Sequence, residues 1–134
     1  MTPRAVLLVE DDSNDVLFMR RAWREAAVPA PLMTVGDGEK AVAYLSGTGA
    51  YADRSRFPVP SLVLLDLKIP LLSGLDVLRW IRTSSPRKDL PVSILTSSEE
   101  PGDVAQARAL GITDYIVKPS GYGALLEIVR RLKV

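Results

Sequence analysis

Short apolar segments that do not alternate with polar residues most constrain the fold of this 134-residue chain. AVLLV at Ala5–Val9 and LVLL at the start of Leu62–Asp66 are apolar at consecutive positions. A strand exposed on one face alternates apolar and polar residues, whereas a strand covered on both faces need not alternate. Between these runs, apolar residues recur at three- and four-residue spacing, as on one face of a helix. The pattern predicts an α/β fold with a doubly wound parallel sheet.

The predicted elements follow one another with short connections. The strands are predicted at Ala5–Val9, Leu32–Val35, Leu62–Asp66, Val92–Leu95 and Tyr115–Val117. The helices are predicted at Asn14–Ala27, Gly38–Leu45, around Leu75–Ile81, at Val104–Leu110 and at Ala124–Leu132. Five strands alternating with five helices indicate one domain over residues 1–134.

Composition excludes several classes of protein and of site. The net charge of +1 gives no strong field for nucleic acid or a membrane surface. No apolar run approaches the ~20 residues of a membrane helix, and the N-terminus lacks a signal-peptide layout. The absence of cysteine fits a reducing compartment, so we expect a cytoplasmic protein. Histidine is also absent, so a metal must bind through oxygen, which favours Mg²⁺.

Polar residues follow the predicted strands at the ends where ligands bind in open parallel sheets. The first strand runs into Glu10–Asp12, and the third ends in Asp66. The fourth runs into Thr96, and the fifth into Lys118. One edge of the sheet is therefore predicted to collect acids, a hydroxyl and an ammonium.

Each of these residues also has a purely structural interpretation. Asp12, Ser13 or Asn14 can cap the first helix, Asp66 can form a turn, and a lone lysine is usually solvated. Taken together, however, three carboxylates in one crevice repel each other unless a cation lies among them. With Mg²⁺ bound, Asp66 can act as a nucleophile toward phosphorus. Lys118 and Thr96 would then donate to the phosphoryl oxygens.

These motifs resemble those of the receiver domain of two-component response regulators, across essentially the whole chain. The motifs are VEDD at Val9–Asp12, LLDLKIP at Leu64–Pro70, ILTS at Ile94–Ser97 and DYIVKP at Asp114–Pro119. Each motif alone is weak, but four in the right order at strand ends are specific. The resemblance implies a flavodoxin-like sheet with strand order 2-1-3-4-5.

The resemblance assigns roles to the residues at the sheet edge. It implies that Asp66 is the phosphoacceptor. Glu10 and Asp11 are the implied acidic pair, with Asp11 a direct Mg²⁺ ligand and Glu10 acting through water. The backbone carbonyl of Lys68 is the implied further metal ligand.

The remaining implied roles concern the response to phosphorylation. Thr96 is the implied switch hydroxyl, and Lys118 the lysine that bonds the acyl phosphate. The Lys118–Pro119 peptide bond is expected to be cis. Tyr115 resembles the aromatic rotamer switch of the family, although a half-buried sheet residue is also a reasonable interpretation.

The chain departs from the family pattern at several places. Glu10 stands where the family usually has Asp. Lys68 and Ser98 occupy positions that tune dephosphorylation in this family, so its rate is not predicted. The connection Ser46–Ser61 is long for an αβ loop and resembles that of single-domain regulators serving bacterial phytochrome-type kinases. It is interpreted either as a surface insertion or as a partner-binding loop carrying Tyr51, Arg54, Arg56 and Phe57.

The expected function is that of a phosphoreceiver switch that catalyses its own phosphorylation and dephosphorylation, rather than an enzyme with a substrate of its own. The implied partner is a histidine kinase, of phytochrome type, or a phosphotransfer protein. The surface of the fourth helix, fifth strand and fifth helix would change shape and is a candidate homodimer contact. No output domain follows Val134, so no DNA-binding output is expected in this chain.

Three alternatives use the same fold. An aspartate-based phosphohydrolase usually has a second Asp two residues after its nucleophile, where this chain has Lys68. A flavodoxin-like cofactor protein needs phosphate-binding donors after the first strand, where this chain has EDDSND. A scaffold that binds partners without being phosphorylated is the third alternative, and sequence alone leaves it open.

Overall fold

The computed structural model describes residues 5–132, in which strands and helices alternate as predicted. The strands are β1 (Ala5–Val9), β2 (Leu32–Val35), β3 (Pro60–Leu65), β4 (Val92–Thr96) and β5 (Asp114–Val117). The helices are α1 (Ser13–Glu25), α2 (Gly38–Ser46), α3 (Gly74–Thr83), α4 (Pro101–Ala109) and α5 (Tyr122–Arg131). A short 3₁₀ helix at Gly49–Tyr51 follows α2.

The five strands form one sheet in the order β2-β1-β3-β4-β5, and every neighbouring pair is parallel. The predicted strand order is therefore confirmed. β1 and β4 are buried along their whole length, which explains why the sequence of β1 is apolar at every position. The edge strand β5 is half-buried, with Asp114 and Val117 exposed.

Side chains of the central strands alternate between two hydrophobic cores on opposite faces of the sheet. On one face, Leu7, Val9, Val63, Leu65 and Ile94 pack with residues of α2 and α3. On the other face, Val6, Leu8, Leu62, Leu64 and Leu95 pack with residues of α1 and α5. The strand period of two is therefore present although both sets of positions are apolar.

Side chains at the helix starts satisfy backbone amides that have no partner within the helix. The Asp12 carboxylate accepts from the amides of Asn14 and Asp15, which identifies it as the α1 cap among the three candidates. Ser73 caps α3 in the same way. Helix α4 begins at Pro101, three residues before the predicted start at Val104, because proline is well suited to the first turn.

Gly74, the first residue of α3, sits directly against the backbone that follows β3. A Cβ at this position would collide with the backbone of Asp66 and Leu67. The Gly74 amide also donates to the Leu67 carbonyl at 3.0 Å. This close packing fixes the segment around Asp66, and a larger residue at position 74 would displace it.

The long connection Ser46–Ser61 is packed against the domain through an aromatic cluster. The Tyr51 ring lies 5.1 Å from the Tyr44 ring and 5.2 Å from the Phe57 ring, between ring centroids. These spacings are typical of aromatic pairs. Tyr51 and Phe57 are partly buried against the core that contains Tyr44, so they stabilise the connection. A partner-binding role for this loop stays a prediction.

Arg54 completes this region by binding the backbone at both ends of the connection. Its guanidinium donates to the Phe57 carbonyl at 3.1 Å and to the Leu45 carbonyl at 3.2 Å. It also lies over the Tyr44 ring, 5.6 Å from the centroid. We call Tyr44, Tyr51, Arg54 and Phe57 the aromatic corner.

Within residues 5–132, none of the helices has both the length and the apolar character that crossing a membrane requires.

Candidate metal and phosphoryl-transfer site

The residues predicted at the strand ends do meet at the carboxyl edge of the sheet. Backbone hydrogen bonds continue the sheet beyond the strand ends and fix the backbone of three of these residues. The Glu10 amide donates to the Val35 carbonyl at 3.0 Å, and the Asp66 amide donates to the Val9 carbonyl at 3.1 Å. The Lys118 amide donates to the Thr96 carbonyl at 2.8 Å. The side chains are therefore positioned by the sheet and not by flexible loops.

Three carboxylates lie close enough together to hold one cation. One oxygen from each of Glu10, Asp11 and Asp66 lies within 4.8 Å of the others. Glu10 and Asp66 are buried, while Asp11 is exposed. Only oxygen donors are present, which suits Mg²⁺ or Mn²⁺. The donor set and its spacing therefore fit the predicted divalent cation.

Lys118 lies between the buried carboxylates and a further acid. Its Nζ is 2.8 Å from Asp66 Oδ2 and 2.8 Å from Asp15 Oδ2, and it is also paired with Glu10 Oε1. An ammonium has three donors, and these three carboxylates account for all of them. We call Glu10, Asp11, Asp66 and Lys118 the acidic rim.

Burial and charge shift the protonation of two residues of the acidic rim. Burial raises the pKa of Glu10 from 4.5 to about 7, against the opposing effect of the Lys118 hydrogen bond. Burial opposes the charged form of Lys118, but hydrogen bonds to Asp15, Asp66 and Glu10 outweigh it and raise the pKa of this ammonium above its ordinary value. Lys118 is therefore charged at neutral pH, whereas Glu10 titrates near it.

Both carboxylate oxygens of Asp66 accept hydrogen bonds that fix its orientation. Oδ2 accepts from Lys118, and Oδ1 accepts from the Lys68 backbone amide at 3.0 Å. The Lys68 side chain extends toward Asp103 of α4, with 3.7 Å between charged atoms. The role of the Lys68 carbonyl as a metal ligand stays a prediction.

Thr96 and Tyr115 both contact Ser98, which follows β4. Thr96 is fully buried, and its Oγ1 accepts from the Ser98 amide at 3.4 Å. The Tyr115 hydroxyl donates to the Ser98 carbonyl at 2.9 Å, and its ring packs against the core. Tyr115 is therefore turned inward in this structure. The Ser98 hydroxyl donates to Asp103 at 2.6 Å, which extends the contact to α4.

One sequence expectation at the site is wrong. The Lys118–Pro119 peptide bond is trans, since no cis bond occurs in residues 5–132. The lysine reaches the acidic rim nevertheless, because its amide is bonded to Thr96 and its Nζ is held by carboxylates.

Sequence reasoning assigned no role to Asp15, and it placed Ser98 only at a position that tunes dephosphorylation. Asp15 lies in the first turn of α1 and contacts Lys118, 103 residues away in the chain. A usable signal was present, because α1 begins directly at the carboxyl edge of the sheet. Acids in its first turn therefore lie near the ends of the neighbouring strands.

Comparisons with known proteins find similarity over nearly the whole chain. The family model described as "Response regulator receiver domain" matches residues 6–130, a range that includes the whole acidic rim. Response regulator Rcp1 of Synechocystis sp. is 30% identical over 131 residues, which cover 98% of this chain and 87% of that protein.

Solved structures are similar over nearly the full length of the chain. The phosphorylated cyanobacterial phytochrome response regulator RcpA has a TM-score of 0.85 and 35% identity, covering 96% of this chain and 89% of that chain. The Mn²⁺-bound form of response regulator Rcp1 has a TM-score of 0.85 and 31% identity, covering 96% and 90%.

Proposed function

The chain belongs to the response regulator receiver domain family, and we propose that it accepts a phosphoryl group on Asp66 from the phosphohistidine of a partner kinase or phosphotransfer protein. The observation that carries this proposal is the convergence of Glu10, Asp11 and Asp66 at one edge of the sheet, where Lys118 pairs with Glu10 and Asp66. The chain has no histidine, so the donor imidazole comes from the partner.

Asp66 is the nucleophile in this proposal. One of its carboxylate oxygens attacks phosphorus in line, the P–N bond of the donor breaks, and the ring nitrogen keeps the electron pair. The product is an acyl phosphate on Asp66 and a free imidazole. The hydrogen bonds from the Lys68 amide and from Lys118 support the reaction by holding the carboxylate in one orientation.

Glu10, Asp11 and Asp66 are the residues that would hold a divalent cation, with the Lys68 carbonyl as a proposed further ligand. When bound, Mg²⁺ offsets negative charge on the phosphoryl oxygens. Lys118 supplies a second positive charge at the same place, and its ammonium can turn from a carboxylate to the acyl phosphate. Thr96 is the proposed hydroxyl donor to that group.

Phosphorylation is proposed to change the surface formed by α4, β5 and α5. Thr96 and Tyr115 share Ser98 as a neighbour, so movement of Thr96 toward the phosphoryl group would alter the Tyr115 contact. The Ser98–Asp103 bond would carry the change into α4. A shift from 1:99 to 99:1 between two states takes about 5.5 kcal/mol, within reach of several charge-assisted hydrogen bonds.

The proposed partner is a histidine kinase of phytochrome type. Support comes from RcpA, a cyanobacterial phytochrome response regulator by its description, which covers nearly the whole chain. A phosphotransfer profile against candidate kinases tests this assignment, and the phytochrome-type kinase is expected to react fastest. Homodimerisation through α4, β5 and α5 is also proposed, and sedimentation before and after phosphorylation tests it.

Receiver domains are generally not metabolic enzymes, and we propose that this chain catalyses only its own phosphorylation and dephosphorylation. The test is incubation with Mg²⁺ and a small phosphodonor, followed by intact-mass measurement. The expected result is a mass gain of one phosphoryl group that is lost in Asp66→Asn. No gain, or a gain that persists in Asp66→Asn, would reject the proposal.

A further inference from the structure

We propose that Asp15 is a positioning residue for Lys118, keeping the ammonium at the site when a divalent cation and a phosphoryl group engage the other carboxylates. The inference rests on the proposed phosphoryl transfer to Asp66. It assigns a function to a residue outside the acidic rim. Its basis is the pattern of contacts around the lysine.

Asp15 differs from the two other carboxylates that contact Lys118. Glu10 and Asp66 belong to the trio whose oxygens converge on a candidate cation position, whereas Asp15 is not part of such a group among residues 5–132. Its side chain is 41% exposed, against 4% for Glu10 and 5% for Asp66. A cation that takes Glu10 and Asp66 therefore leaves Asp15 as the remaining acceptor for the lysine.

The backbone around Asp15 fixes its carboxylate close to the lysine. Its amide donates to the capping carboxylate of Asp12 at 3.1 Å, which holds the first turn of α1. Lys118 is anchored at its own amide through Thr96. The 2.8 Å contact between Asp15 and Lys118 therefore joins two independently fixed backbones.

Packing does not confine Lys118 on the side of α1 and α5. A cavity of about 230 Å³ opens there, lined by Asp15 and Lys118 together with apolar residues such as Phe18 and Leu125. A flexible lysine beside such a space is free to change rotamer unless a hydrogen bond holds it. Asp15 provides that hydrogen bond.

An ammonium can serve Asp15 and a phosphoryl oxygen at once, because it has three donors. Asp15 therefore orients Lys118 without competing for it. The expected consequence of Asp15→Asn is a lower maximal rate of phosphorylation, by about 10-fold, as is typical when a supporting partner of a functional group is lost. The phosphodonor concentration that gives half the maximal rate should not rise.

The first test reads the position of Lys118 directly, by its reactivity toward an amine-acylating reagent in saturating Mg²⁺, with peptide mass mapping. Lys40, whose side chain is 61% exposed, provides an internal reference. Lys118 should be protected in the wild-type protein, several-fold more reactive in Asp15→Asn, and protected again in Asp15→Glu. Equal protection in wild type and Asp15→Asn would overturn the inference, even if Asp66 is phosphorylated.

The second test compares phosphorylation kinetics of the same variants. Glu25→Gln is the matched control, because it also removes a carboxylate from α1. The Glu25 carboxylate pairs with Arg21 at 2.9 Å and not with Lys118. Asp15→Asn should lower the maximal rate while Glu25→Gln leaves it unchanged. A change only in the phosphodonor concentration at half-maximal rate would indicate that the Asp15 charge repels the donor, and it would overturn the inference. If the wild-type protein takes up no phosphoryl group, the proposed function fails, and the labelling still decides the role of Asp15.

Discussion

The acidic rim and the aromatic corner each surround one cationic side chain, yet they do so with different partners. Lys118 is surrounded by three carboxylates, and two of them, Glu10 and Asp66, also belong to the candidate cation site. Arg54 is bound to the carbonyls of Leu45 and Phe57 and lies over an aromatic ring. Exchangeable partners suit a site that binds and releases ligands, and fixed backbone partners suit a site that only stabilises. The acidic rim is therefore suited to ligand binding, and the aromatic corner to stabilising the fold.

Replacing the cationic side chain of each region should give the largest difference between them. Lys118→Ala is expected to slow phosphorylation of Asp66 by about 10²–10³-fold, the usual cost of losing a charge-stabilising donor. Arg54→Ala is expected to leave that rate unchanged within about twofold. Initial rates with a small phosphodonor at saturating Mg²⁺ measure both. A comparable loss in the two variants would break the distinction between the regions.

The two regions should also respond to pH in different windows. Glu10 has a folded pKa of about 7 against 4.5 when unperturbed. Since the raised value favours the protonated form, its contribution to stability is full below pH 4.5 and is lost as pH rises through 7, by about 3 kcal/mol in the metal-free protein. Denaturant titrations across this range should show the loss in wild type, and Glu10→Gln should abolish it.

The corresponding window of the aromatic corner lies at high pH. Burial raises the pKa of Tyr44 from 10.0 to about 12. The stabilisation from the neutral phenol is therefore full below pH 10 and is lost as pH rises through 12. Ultraviolet titration of the phenolates should detect late ionisation, and Tyr44→Phe should reduce its amplitude by that of one tyrosine. Ionisation of every tyrosine near pH 10 would contradict the burial of this hydroxyl.

Substitutions that introduce an uncharged residue should shift the free energy of unfolding in opposite directions in the two regions. Phe57→Ala removes a partly buried ring and should lower the free energy of unfolding by about 2 kcal/mol. Asp11→Asn removes one of three crowded carboxylates and should raise it by about 0.5 kcal/mol when metal is absent. Urea titrations in a chelator measure both changes. A destabilised Asp11→Asn would indicate that the carboxylates are not repelling each other.

The same contrast explains how much the sequence could predict. The strands and the acidic rim were predictable, because buried parallel strands leave continuous apolar runs and their ends fall at one edge. The aromatic corner was not predicted as a packed unit, since Tyr44 belongs to a helix and Phe57 to a loop. Their contact depends on how the connection folds back, which no local spacing reveals. The Asp15–Lys118 pair was missed although the topology offered a signal, because the first turn of α1 lies at the carboxyl edge of the sheet.

A divalent cation that joins Glu10, Asp11 and Asp66 would offset their mutual repulsion and prepare Asp66 to accept phosphorus. The most direct test is the rate of Asp66 phosphorylation as a function of Mg²⁺ concentration, at a pH above 7. We predict no reaction in a chelator, a saturable increase with Mg²⁺, and a half-saturating concentration at least about 10-fold higher in Asp11→Asn. Equal rates with and without Mg²⁺, or an unchanged half-saturating concentration in that variant, would contradict the account.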